Sequence, residues 1–461
     1  MAEGSRSRVD VVVVGAGLSG LRAARALVDA GHEVVALEAR DRVGGRLLNA
    51  TLGDGVQVDL GGQWVGSDHS RVQGLAAGLG IESFPQFGAG RNLLDVGGKR
   101  RRYRGTIPRL GLVVLWDIFV ARRRIARLAR DIDVEQPWAA DRAAELDSET
   151  LAEWCAANVR TPIAREMLGL AGRTIWGTGP EELSMLHALF YIRSAGSFDK
   201  LIDTEGGAQQ DRLDGGAQTL ALGIAASLGE RVRLNAPVRR IEQTDEAIRV
   251  LADGIELEAQ RAIVALPPVL AAGIDFDPAL PEQRRQLAEQ FWPGALSKCV
   301  ALYKEPFWRA DGLSGESVTD AGPVTLTFDS SPRDGSAGVM LGFVGGPEAR
   351  EMAAMAPAER RTAVLDCFER LFGPRAAEPL DYAEQAWAAE EWSEGGPTSN
   401  FGPGGWTDSG PALREPVGRV HWAGTETATV WNGYMEGALQ AGDRAAAEVL
   451  PQLESAASPL A

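Results

Sequence analysis

The residues of this chain whose types and spacing could do chemistry are glycines closed by one carboxylate. Gly15-Ala16-Gly17-Leu18-Ser19-Gly20 follows four consecutive valines, and Glu38 lies 23 residues after Gly15. Gly15 permits a tight turn, Gly17 lets backbone N–H groups approach a pyrophosphate at a helix N-terminus, and Gly20 lets helix and strand pack closely. Glu38 is placed to accept hydrogen bonds from a ribose 2′-OH. The chemistry implied is dinucleotide binding, and this pattern alone does not separate FAD from NAD. His32, His69, His187 and His421 are too dispersed for a metal site, and Cys155, Cys299 and Cys367 have no metal or CxxC spacing.

These residues need a strand-turn-helix-strand unit to position them. Val11 to Val14 reads as a strand buried on both faces, Leu21 to Leu27 carries helical spacing, and Val34 to Leu37 forms the second strand. The 461 residues, 45% hydrophobic and 24% charged, suffice for two domains with sizeable cores. A formal charge of −16 argues against nucleic acid as a general partner. The first ten residues are too short and polar for a signal peptide. Leu110 to Val120 is too short to span a bilayer. It runs into Arg122-Arg123-Arg124 and, with Lys99 to Arg104, makes a basic patch, for which the preferred reading is the solvated face of a packed helix rather than a membrane-surface helix.

Further motifs follow. Arg42-Val43-Gly44-Gly45-Arg46 comes directly after the second strand, Gly61-Gly62-Gln63-Trp64-Val65-Gly66 places a glycine pair before an aromatic, and Ala423-Gly424-Thr425-Glu426-Thr427 precedes Gly433-Tyr434-Met435-Glu436-Gly437-Ala438. Together with the Gly15 fingerprint these resemble the flavin-containing amine oxidases, in the bacterial monoamine oxidase branch, over nearly the whole chain. Asn49 departs from the Ser or Thr usual three residues after the GGR motif. No Arg follows the Gly61-Gly62 pair in the way of the amino-acid-oxidising branch, which favours an amine without an α-carboxylate.

The resemblance implies an α/β fold: a discontinuous FAD-binding Rossmann-like domain of the glutathione-reductase type (1–88, 204–290 and 385–461) and a mixed α+β substrate domain (89–203 and 291–384). It implies non-covalent FAD, because covalent members use a cysteine where this chain has Pro397. FAD is expected against Gly15, Gly17, Gly20, Glu38, Arg40, Gly44, Gly45, Arg46, Gly62, Gln63, Trp64, Val238, Trp387, Gly424, Glu426, Gly433, Tyr434 and Met435. Lys298 is implied to hold a water against flavin N5, although an isolated strand lysine would point to solvent. Tyr434 matches one ring of the pair flanking the substrate nitrogen. The other falls at Pro397 or Thr398, neither aromatic, so Trp431 or Trp392 could supply a ring from elsewhere. Phe343 reads equally as pocket wall or core, and Gln210 is a further pocket candidate.

The implied activity is oxidation of a neutral amine by hydride transfer from its α-carbon to flavin N5, with O2 as acceptor giving hydrogen peroxide. The alternatives are a desaturase of a neutral polycyclic or polyene metabolite, which relatives with the same FAD domain imply, and a non-catalytic flavin-binding sensor module. Members bound to membranes carry a C-terminal apolar anchor, whereas this sequence ends in the short polar stretch Pro451 to Ala461. It is therefore expected to be soluble and cytoplasmic, with a homodimer possible. Helices are expected near 107–129, 148–157, 163–170, 180–194 and 215–228, and the stretch from Trp431 to Ala438 is expected to lead into a helix through about Leu450. Strands are expected at Val232–Leu234, Val238–Glu242, Ile248–Leu251 and Ile255–Ala259, with another from Arg261.

Overall fold

A computed structural model of the chain describes residues 7–105 and 110–457. Its eight-stranded sheet grows from the valine run. Ser7–Val14 lies between Val34–Leu37 and Ile255–Val264, parallel to both. Val11 and Val13 pack on one side with Leu21, Leu27 and Val449, and Val12 and Val14 on the other with Ile241, Val250 and Trp422. Both faces of the strand are covered, which is why its sequence shows no alternation. Val420–Trp422 adds a parallel strand beside Ala262–Val264.

Two stretches expected as separate strands are one. Ile255–Val264 runs unbroken, antiparallel to Ile248–Ala252 over its first half and parallel to the first strand from Leu257 onward. A strand that serves a hairpin at one end and the central sheet at the other carries two burial patterns, so in sequence it looks divided.

The second sheet has seven strands. Leu296–Tyr303 is the second strand from one edge, antiparallel to the edge strand Asp381–Ala386 on one side and to Gly338–Gly345 on the other. Gln385 and Ala386 pair with Lys298 and Ser297, so this sheet extends two residues past the boundary expected at 384. Arg91–Val96 and Lys99–Tyr103 form a hairpin in the same sheet, ahead of the first helix expected near 107–129.

The helical segment is otherwise present as Leu112–Arg130, Leu151–Asn158, Pro162–Trp176 and Met185–Ser194. Thr150 and Glu153 form a reciprocal capping box at one start, Ser184 caps another, and left-handed Gly177 ends a third. Expectations for residues 1–6, 106–109 and 458–461 fall outside the described residues. The last helix spans Met435–Ala457 and continues through Pro451, because Leu453 beyond the proline is still buried in the core. The polar tail expected from Pro451 thus begins as helix. No helix among the described residues is long and apolar enough to cross a membrane.

Candidate active site

A single cavity of about 440 Å³ extends from the Gly15 turn to the helical segment. Its first end is built from backbone. Gly15 has φ +97°, and a Cβ on Gly20 would sit 2.0 Å from the Gly15 carbonyl oxygen. A Cβ on Gly17 would approach nothing closer than Gly45 Cα at 3.9 Å. Gly17 therefore leaves space above the N-terminus of Leu18–Asp29, where no side chain caps the free N–H groups. Gly44 donates its N–H to the Ala16 carbonyl at 2.9 Å, which ties the GGR loop beside the turn.

Glu38 is buried at the end of its strand and accepts from the Ala16 N–H at 2.8 Å and the Arg40 N–H at 3.1 Å. A carboxylate has about four lone-pair sites, so it can still accept from a ligand hydroxyl. Arg40 lines the cavity but is fully engaged: it meets Glu38, Glu390 and the Ser393 hydroxyl. Arg46 makes a bidentate pair with buried Glu426, at 2.7 and 3.0 Å, and donates to the Pro397 carbonyl. That contact binds three distant parts of the chain around one spot.

Lys298 is buried and reaches the cavity from the second sheet. Its Nζ donates to the Gly61 carbonyl at 2.9 Å and to Gln63 Oε1 at 2.8 Å, while the Gln63 amide donates to Ser330. Burial lowers its pKa to about 7, with Asp59 opposing and Arg212 assisting. Phe343 stands directly across the sheet from Lys298 and lines the cavity, as does Trp64, which packs on Phe328 and Phe343.

Tyr434 precedes the last helix. Burial raises the pKa of its phenol, a hydrogen bond with Tyr191 counters this, and the two ring centroids are 6.1 Å apart. Gly433, at φ +83°, leaves room for Tyr191, whose hydroxyl would lie 2.5 Å from an added Cβ. Beyond the tyrosines the walls are mostly apolar, among them Leu168, Ile175, Phe198 and Leu326, and the lining there includes basic Arg122 and acidic Glu316. Arg122 pairs with Asp199. Burial, aided by the charge of Asp203, pushes Glu316 up to about 7.

The structure brings most expected residues to this cavity, including Gly15, Gly17, Gly44, Gly45, Gly62, Gln63, Trp64, Trp387, Gly424, Gly433 and Met435. Gly20 and Glu426 act from behind the wall, through packing and through Arg46. Four expectations are corrected. Gln210 bonds the Gly206 N–H and Asp211, and its neighbour Gln209 lines the cavity instead. Trp431 is buried behind Tyr434, against His69. Thr398 is fully buried and outside the lining, while Pro397 faces the cavity. Val238 is not in the lining either. The adjacent Asn235 and Ala236 donate to the carbonyls of Arg40 and Glu38, so its segment borders the nucleotide end.

Tyr191, Glu316 and Arg122 were missed. Tyr191 lies in a helix whose residues are nearly all buried, so no periodicity marks the face that meets Tyr434. The donor set fits FAD: an open glycine turn, a carboxylate at the strand end, and a buried cation with an amide farther along one cavity. No cysteine lines that cavity.

Residues 18–450 match the model of the flavin containing amine oxidoreductase family. The chain is 48% identical over 441 residues to the Mycobacterium tuberculosis protein AofH, designated a flavin-containing monoamine oxidase, covering 96% of both chains. It is similar to a putrescine oxidase solved with putrescine bound, at TM-score 0.93 and 35% identity, covering 96% of this chain and 99% of that one. It is also similar to cyclohexylamine oxidase from Brevibacterium oxydans IH-35A, at TM-score 0.92 and 35% identity over 97% and 99% of the two chains.

Proposed function

The chain belongs to the flavin-containing amine oxidase family, and FAD-dependent oxidation of an amine is its activity; on that premise we propose that it takes an uncharged amine against Tyr434 and Tyr191 and passes the electrons to dioxygen, giving hydrogen peroxide. The observation that carries this reading is the single cavity joining the dinucleotide turn, Lys298 and the paired tyrosines. When bound, FAD supplies the acceptor for hydride from the amine α-carbon. Gly15, Gly17, Glu38 and the Gly44-Gly45 loop would hold its dinucleotide part, and Gly62, Gln63, Gly424 and Met435 its ring.

The protein's own residues position and polarise. Arg46, clamped by Glu426, fixes the loop carrying Pro397. Lys298 presents a donor whose charge is poised near neutrality, and the Gly61 carbonyl and Gln63 hold it in place, so little reorganisation is needed when charge develops nearby. The tyrosines present their rings and one shared hydrogen bond, and no histidine is among the residues lining the cavity. Such a wall suits an amine that arrives deprotonated.

Pro397 leaves one side of the nitrogen site without a ring, and this supports bulkier, secondary or cyclic amines as substrates. The test compares kcat/KM for benzylamine with its N-methyl and cyclic analogues, in the parent and in Pro397→Tyr. The bulkier amines should be turned over at least as well by the parent and be impaired by the added ring. A clear parent preference for slim primary amines, unchanged in Pro397→Tyr, would reject the open-sided site. FAD is held without a covalent bond on this reading, so acid precipitation should leave yellow flavin in the supernatant.

A further inference from the structure

Among the described residues, the helix Leu112–Arg130 exposes a row of large apolar side chains to solvent. Leu112 is 86% exposed, Val113 72%, Trp116 66% and Phe119 47%. These positions recur at helical spacing on one face, and the Trp116 and Phe119 rings touch at 5.7 Å. The opposite face is accounted for: Val114, Leu115 and Ile118 pack with Leu94, Val96 and Tyr103 of the neighbouring hairpin. The outer face is thus a formed surface of a packed helix, and its apolar groups have no partner within the described chain. Leaving a tryptophan, a leucine and a phenylalanine together in water costs transfer free energy that burial against something else would recover.

Charge identifies what that something is. Between residues 99 and 130 the sequence has eleven Lys and Arg and one acidic residue, Asp117, in a chain whose total is −16. Asp117 is buried and accepts from the backbone of Arg160 and Thr161, so it is turned away from the outer face, and one carboxylate against eleven cations leaves the region strongly basic. Lys99, Arg100, Arg102 and Arg104 on the hairpin, and Arg123, Arg124 and Arg127 on the helix, are exposed. Arg123 lies over the Phe119 ring at 5.5 Å, apolar stem and charged head side by side.

A second copy of this chain presenting the same face would set cation against cation. A nucleic acid would satisfy the arginines but not Leu112 and Val113. A surface with an anionic layer above an apolar one satisfies both. We propose that the outer face of Leu112–Arg130, with the Lys99–Arg104 hairpin, docks this enzyme on an anionic lipid surface. The aromatic and aliphatic row enters the acyl boundary, and the flanking arginines stay among the headgroups. The helix is peripheral in this arrangement and does not span.

The test uses the FAD-loaded enzyme and sedimentation with vesicles of phosphatidylcholine alone or mixed with phosphatidylglycerol. The parent should sediment with the mixed vesicles, release as salt is raised, and show a blue shift of tryptophan emission on binding. Leu112→Ser with Trp116→Ser should weaken binding by roughly tenfold or more, and Arg123→Gln with Arg127→Gln likewise. Leu222→Ser, at another exposed apolar residue, should change nothing. Turnover of a soluble amine by the Leu112/Trp116 variant, equal to the parent's, verifies that it is folded. Equal sedimentation with both vesicle types, or no loss in the variants, overturns the proposal. So does a vesicle-free oligomer, seen by sedimentation equilibrium, that the Leu112/Trp116 variant dissociates, since the face would then belong to a second copy.

Discussion

The two ends of the cavity are made in different ways. At the nucleotide end the shape comes from backbone: glycines packed to distances no side chain allows, and carboxylate-guanidinium contacts linking segments hundreds of residues apart. At the substrate end it comes from side chains of helices and strand faces, mostly apolar, with Glu316 and the Asp199-paired Arg122 as its acidic and basic groups. At Gly15 and Gly20 the first end tolerates almost no change, because a Cβ there has nowhere to go. The second can change residue by residue, which is how one scaffold serves different amines.

The comparison breaks first at the nucleotide end. Gly20→Val puts a branched side chain where even a Cβ meets a carbonyl oxygen. It should destabilise the protein by roughly 3 kcal/mol or more and leave it purified without flavin, as read from the absorbance of the flavin against that of the protein. A yellow, stable Gly20→Val protein would mean that helix and turn can separate at little cost.

Lys298 sits between the two ends, and its loss should have an intermediate effect. Lys298→Met should slow reoxidation of the enzyme by O2 by roughly tenfold, corresponding to about 1.4 kcal/mol, with anaerobic reduction by the amine less affected. Stopped-flow traces of the two half-reactions separate these effects, and equal reoxidation in parent and variant would leave Lys298 a structural role only.

The smallest effect belongs to the substrate end. With its pKa pushed up to about 7, Glu316 is neutral below that pH and a carboxylate above it. The ratio of kcat/KM for a diamine over a monoamine of equal length should therefore rise as pH increases through 7, by about threefold, or roughly 0.7 kcal/mol of attraction to the distal ammonium. Glu316→Gln should flatten that rise. A ratio independent of pH in the parent would place the distal group away from Glu316.

What the sequence determined by itself follows from where the constraints are local. Gly15, Gly17, Gly20 and Glu38 lie within one strand-helix-strand unit, and the GGR loop follows it directly, so the chemistry of the turn is written within 32 residues. Tyr434 lies in a motif of similarly short range, Gly433 to Ala438, whereas Lys298 stood out only through the resemblance of the whole chain, because a lysine in a strand by itself would be expected to face solvent. Tertiary structure alone decided the partners that meet across the chain. It set Tyr191 against Tyr434 from inside a uniformly buried helix and chose Gln209 over Gln210. It placed Trp431 behind the wall and closed Arg46 on Glu426. It also decided that the apolar half of Leu112–Arg130 has two faces, one packed on the hairpin and one bare. An apolar residue looks the same in sequence whether it is buried in the fold or held out to solvent, because only the packing of distant segments fixes which way a helix turns its faces.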